Sequence, residues 1–141
     1  MKTRIAMITA IVLIAIQFTL AGEPAKRFAT AEQTIAFATK NLLVGLHSTN
    51  PGVIESAMRI SAQMKMRYPS ADVSELVKVM NELRQKHPSG TTRYKAYIAI
   101  SVCEHPESYS DEIGIVTAPE ENFFRAASTH MQKLLLSANA E

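Results

Sequence analysis

The chain has no tryptophan, one cysteine, five glycines and six prolines among its 141 residues. Each scarcity excludes something. Because Cys103 is alone, no internal disulfide can form, and stability has to come from packing. So few glycines leave no glycine-rich phosphate loop, and no G-x-S-x-G, S-x-x-K or H-E-x-x-H pattern marks a nucleophile or a metalloprotease helix. Glycine and proline are also too rare for low-complexity disorder, while 47% of the residues are hydrophobic, as in a globular chain. The length is that of one small domain, which excludes a multidomain enzyme.

What is present begins with an address. Lys2 and Arg4 precede an uncharged run, Ile5–Leu20, that Gly22-Glu23-Pro24 ends. This is the pattern of a secretory signal peptide. Thr19 and Ala21 place small side chains at the third and last positions before a cut after Ala21. As a helix the run would reach about 24 Å, short of the roughly 30 Å hydrocarbon core, so no stable membrane insertion is expected once residues 1–21 are removed. The expected location is exported, in the periplasm or outside the cell. Loss of Lys2 and Arg4 reduces 15 basic residues to 13, equal to the 13 acidic ones. Nucleic-acid binding then lacks an electrostatic basis.

The remaining charges are unevenly placed. Arg59–Lys95 is net +5, whereas Glu104–Glu121 carries six acids and no lysine or arginine. These are either solvated helix faces and loops that attract one another, or a ligand-facing basic stripe with an acidic cover.

After a lead-in over residues 22–29, helical periodicity starts at Thr30, where Gln33 completes a capping-box pattern. Ile35, Ala38, Leu42 and Leu46 share one face of a helix over Ala31–His47. Ser48–Gly52 breaks it, with Asn50 as cap and Pro51 at a position needing no N–H. The second helix extends to about Tyr68, facing inward with Ile54, Ala57, Ser61 and Met64 and stopping before Pro69. Asp72-Val73-Ser74-Glu75 is a capping-box pattern for a third helix to about Lys86, with Val73, Leu76, Val77, Met80 and Leu83 on one face. Thr91 is the expected cap of a fourth helix whose Tyr94, Tyr97, Ile98 and Ser101 share a face up to about Cys103. Residues 106–117 read as an acidic loop with a short extended piece at Ile113–Val116. Thr117-Ala118-Pro119-Glu120 is a third cap pattern, for a last helix over residues 118–137 bearing Phe124, Ala127, Met131 and Leu135, with Phe123 and Leu134 beside them; residues 138–141 are a tail.

A repeat underlies this order. Asn50-Pro51-Gly52 and Pro88-Ser89-Gly90 each open a helix with a small residue in its second turn, at an offset of about 39 residues. That period is the mark of a helical-hairpin array rather than a closed bundle. Asn41–Ser48, followed by Asn50 and Ser56-Ala57, resembles the helix, GL-x-S-x-N, helix hairpin of HEAT-like repeat proteins, in particular small exported ones of Gram-negative bacteria. The resemblance spans residues 30–105; the second hairpin lacks the Asp and Arg often found at the repeat turn and second helix of such proteins. It implies an all-α, short right-handed α-solenoid of antiparallel hairpins, closed by the C-terminal helix, that binds a protein partner and has no chemistry of its own.

In a stacked array Arg59, Lys65, Arg93 and Lys95 fall on the second helices of successive hairpins, so they are the expected binding patch. The alternative function is a small metal or redox site at Cys103 and His105, which requires the chain to leave the helix there, since residues two apart point about 200° apart on a helix. Met58, Met64 and Met80 fall near apolar faces and read as core rather than copper(I) ligands. His47, His87, His105 and His130 have no ligand-like spacing, and His47 and His87 read as helix C-terminal residues. The expectation is therefore an exported, non-enzymatic interaction module without a cofactor. Processing provides its first test: intact-mass measurement of the envelope protein should give a chain beginning at Gly22, and a membrane-bound species that keeps residues 1–21 would contradict the assignment.

Overall fold

Three helices in this chain start where a side-chain oxygen is available for the amides that the first turn leaves without partners. Thr30 Oγ1 accepts from the Gln33 N–H (3.2 Å), Asn50 Oδ1 from that of Gly52 (2.9 Å) and Ser89 Oγ from that of Thr92 (3.3 Å). The computed structural model describes residues 30–109 and 120–138. Among these all regular structure is helical: α1 Ala31–Leu46, α2 Pro51–Arg67, α3 Ser74–Lys86, α4 Gly90–Glu104, the single turn α5 Pro106–Tyr109 and α6 Glu120–Ala138. The expected signal and lead-in, the extended piece at Ile113–Val116 and the Thr117 cap lie outside the described residues.

Two caps differ from expectation. Ser89, not Thr91, caps α4, because the extended Ser89 after Pro88 already places its hydroxyl over the first turn. At α3 the helix begins at Ser74, so Asp72 lies one residue too early for a capping box. Its carboxylate instead accepts from the Ser74 N–H at 2.9 Å. That backbone bond and a second one from the Ser74 side chain hold the Asp72 carboxyl below the ordinary range.

From Thr34 onward the described residues belong to one compact unit. Its centre is α4, which packs on α2, α3, α5 and α6, while α2 also meets α5 and α6. α2 contributes Ile54, Ala57, Met58, Ser61, Ala62, Met64 and Met66 to the core, and α3 contributes Leu76 and Met80. The face expected for α4 is corrected. Tyr94 and Tyr97 remain 49% and 40% exposed, and the buried arc is Thr92, Ala96, Ile98, Ala99, Ile100, Val102 and Cys103. Alanine, β-branched and cysteine side chains fill those positions because neighbouring helices on several sides leave little depth for aromatic rings. Tyr94 reaches across from the edge instead, its hydroxyl 2.7 Å from Ser128 Oγ on α6.

The segment after α4 is not a loop throughout. Pro106–Tyr109 is a helical turn that buries Tyr109, whose hydroxyl lies 2.9 Å from Ser101 Oγ. The His130 imidazole of α6 donates through Nε2 to the Ser108 carbonyl (2.6 Å), its ring centroid 5.1 Å from that of Tyr109. α6 packs through Phe123, Phe124, Ala127 and Met131, but Leu134 and Leu135, expected on the same stripe, are exposed.

α1 buries Leu42 and Leu46 and meets α2 where Gly45 faces Ala57: a Cβ placed on Gly45 would lie 2.9 Å from Ala57 Cβ. Two terms therefore oppose each other in Gly45→Ala. Helix propensity favours alanine by about 0.5–1 kcal/mol, while overpacking against a side chain that cannot rotate away costs about 1–3 kcal/mol. Urea unfolding should show Gly45→Ala destabilised by roughly 1 kcal/mol, with Ala57→Gly in the same chain recovering part of the loss through a favourable coupling. A stabilised Gly45→Ala would mean that the two helices do not approach as described.

Candidate functional site

The turn between α1 and α2 and the turn between α3 and α4 carry the N-caps Asn50 and Ser89, 39 positions apart. Between them lies a cleft of about 380 Å³. Its apolar lining is Leu46 from α1, Ile54 from α2, and Val79 and Leu83 from α3; its polar lining includes His47, Glu82, Lys86 and His87. The helical i, i+3, i+7 spacing of Val79, Glu82 and Lys86, with Leu83 beside them, brings all four to one side of α3.

The two histidines are set differently by their own turns. His47 Nδ1 lies 2.7 Å from the Leu43 carbonyl, which can only accept, so Nδ1 carries the proton and a neutral ring keeps Nε2 as an acceptor. His87 Nδ1 accepts from the Ser89 N–H at 3.1 Å, so the proton is on Nε2, a donor. An acceptor and a donor nitrogen, a carboxylate and an ammonium thus surround an apolar floor. That set suits recognition of an apolar side chain flanked by polar backbone or charged groups.

Each of the four cations expected to form a patch has a bond of its own within the chain. Lys95 pairs with Glu55 on α2 at 2.5 Å, its ammonium also 5.2 Å from the Phe124 ring centroid. Lys65 donates to the carbonyls of Pro69 (2.6 Å) and Ala71 (2.8 Å), tying down the turn after α2. Arg59 donates to Gln63 one turn further along α2 (2.9 Å). Arg93 donates to the carbonyls of His87 (2.7 Å) and Pro88 (3.1 Å), two residues that line the cleft. Of the four, Arg93 alone is bonded to the cleft's wall. Sequence reasoning missed Glu55, which lies 40 positions from its partner with no local signal. It also missed Glu82 and Lys86 as cleft residues, although His47 and His87, each directly after a helix, were legible in the sequence.

Cys103 and His105 diverge. The Cys103 side chain is buried in the packed arc of α4, whereas the His105 side chain is 65% exposed at the helix end, 3.9 Å from the Glu107 carboxylate. Among the described residues no group of three or more His, Cys, Asp or Glu side chains is placed to hold a metal ion. Met58, Met64, Met66 and Met80 lie in the core. Burial pushes the Cys103 thiol up to about 12. The unfolded chain ionises near the ordinary thiol value of 9.0, so stability contributed by the protonated thiol is fully present below pH 9 and is lost as pH rises towards 12. Between pH 8 and pH 10 the wild type should lose about 1.4 kcal/mol more than Cys103→Ala in urea titrations, and a thiol reagent should label the native protein only as fast as it unfolds. Rapid native labelling would contradict this burial.

Among the described residues no helix is long and apolar enough to cross a membrane. Comparison with protein-family models, with curated proteins and with solved structures found no match.

Proposed function

We propose that this chain is an exported, non-catalytic protein-interaction scaffold of the HEAT-like type, a short right-handed α-solenoid that works in the periplasm or outside the cell. The export pattern of residues 1–21 supports the address. Support for the array comes from α3 and α4, which pack together across the short His87–Ser89 turn, and from α2 lying against α4. The observation that carries the binding role is the cleft between the two turns, with its apolar floor and mixed polar rim. Within the basic set, Arg93 borders that cleft, while Lys65 and Lys95 are committed to bonds inside the protein. The partner is a protein segment that inserts an apolar side chain there and pairs with Glu82, Lys86 or Arg93.

The charge exchange Glu82→Lys with Lys86→Glu tests this, because both side chains are exposed and their net charge is unchanged. Affinity capture from the native envelope should recover a partner with the wild type and lose it by about tenfold or more with the variant, in line with the disruption of a charged rim. Circular dichroism should show the helices intact. Equal recovery by a folded variant would remove the cleft from the binding surface.

A further inference from the structure

The two histidines that line the cleft meet a further proton in opposite ways. His47 Nδ1 already carries hydrogen and donates to the Leu43 carbonyl (2.7 Å), so a proton added at Nε2 leaves that bond in place. His87 Nδ1 is the acceptor for the Ser89 N–H (3.1 Å), and with hydrogen already on Nε2 the next proton can go only there. An imidazolium has two donor nitrogens and no acceptor, so the bond to Ser89 and a charged His87 exclude one another. The backbone of the turn is held without the ring. The His87 N–H donates to the Leu83 carbonyl (3.0 Å), Arg93 Nη1 donates to the His87 and Pro88 carbonyls (2.7 and 3.1 Å), and Ser89 Oγ accepts from the Thr92 N–H (3.3 Å). The main chain is thus fastened on both sides of a half-buried imidazole that can rotate.

We propose that His87 is an acid-operated switch in the wall of the cleft: neutral, its imidazole holds the Ser89 amide, and protonated, it lets go and is released to the cleft. The charged and titratable groups around it are Glu82 and Lys86 on α3, His47 after α1 and Arg93 on α4; Ser48, Thr49 and, from α2, Ile54 add no charge. At neutral pH this border sets Lys86 and Arg93 against Glu82. Mild acid, in which imidazoles take up protons, adds one cation at His47 without moving it and a second at His87 with release of its bond. The cleft then favours a segment that carries a carboxylate beside its apolar side chain, and the preference fades as pH rises. That consequence rests on the cleft being the binding surface proposed above, whereas the switch belongs to the free chain.

Nuclear magnetic resonance of isotope-labelled protein recovered from the envelope tests the switch without any partner. At about pH 7.5 the imidazole nitrogen shifts should place hydrogen on Nε2 of His87 and on Nδ1 of His47. Between about pH 7.5 and pH 5, protection of the Ser89 amide against solvent exchange, corrected for the intrinsic effect of pH, should fall by about three- to tenfold, as for the loss of one hydrogen bond. His87→Asn offers a side-chain oxygen to the amide two residues on and does not titrate, so its Ser89 amide should stay protected throughout. His87→Leu should leave that amide unprotected throughout, with circular dichroism showing the helices intact in both variants. Hydrogen on Nδ1 of neutral His87 overturns the proposal, as does a wild-type Ser89 amide indifferent to pH, an equal loss in His87→Asn, or full protection in His87→Leu. The charge exchange at Glu82 and Lys86 tests the cleft separately, because it removes neither histidine's bond, and a loss of capture there says nothing against the switch.

Discussion

Everything in this fold has to fit around α4. The helix has neighbours in α2, α3, α5 and α6, and close helix approach on that many sides is possible only where side chains are short. Ala96 and Ala99 are wholly buried, and Ala57, Ser61 and Ala62 give α2 the same slim profile. Ser61 shows how a polar atom is tolerated there: its hydroxyl donates back to the Ala57 carbonyl of its own helix at 2.7 Å, so the buried group asks nothing of a neighbour. Burial of apolar surface provides the attraction but has no direction. Direction comes from the margins of α4, where Tyr94 meets Ser128, Lys95 meets Glu55 and Ser101 meets Tyr109. Each of these bonds engages a different neighbour, α6, α2 and α5, and together they set how those elements are placed about the central helix.

Lys95 illustrates why the basic residues do not act alike. Its ammonium sits between the Glu55 carboxylate and the face of Phe124, with the Lys95 and Glu55 side chains about four fifths buried. A pair in that position has given up much of its hydration, so its net contribution is modest, yet removing one partner strands the other and costs about 3–5 kcal/mol. Cation–π attraction adds roughly 0.5–1 kcal/mol or more once water is excluded. Recruiting Lys95 to an external acid would forfeit both contacts. Lys65, closing a turn through two carbonyls, is bound in the same sense. Sequence position places a cation on a helix; the partner it already has decides whether it can serve another molecule.

The helices were legible because periodicity and capping are local properties. Ile54, Ala57, Ser61 and Met64 on α2, and Leu76 and Met80 on α3, are buried as their spacing indicates. The inward face of α4 was not legible, since Tyr94 and Tyr97 fall at helical spacing as convincingly as the alanines do. What selects the alanines is the number of helices packed around them, a property of the tertiary structure. Pro106–Tyr109 escaped for a related reason. A helical turn of that length carries no periodic signal, and Tyr109 is drawn into the core by Ser101 and by the His130 ring of α6. The cleft was half legible: the helix breaks place His47 and His87 at turns, but not the α3 side chains that complete the space between them.

Those turns also show how two similar helix connections come to differ. A histidine directly follows both α1 and α3, and α2 and α4 each start from a side-chain oxygen that accepts a backbone N–H. The next bond differs. His47 turns back to its own helix and donates to Leu43, whereas His87 turns forward and accepts from Ser89. The difference follows from the connection: Ser48-Thr49-Asn50 lets Ser48 serve the Asn50 amide, freeing His47, while the shorter Pro88-Ser89 link leaves the Ser89 amide to His87. One inserted residue in a turn thus reverses the hydrogen-bonding character of an imidazole without disturbing the helices on either side. Variation of this kind falls at the rim of the cleft, among exposed and half-buried residues, and leaves the buried core side chains in place.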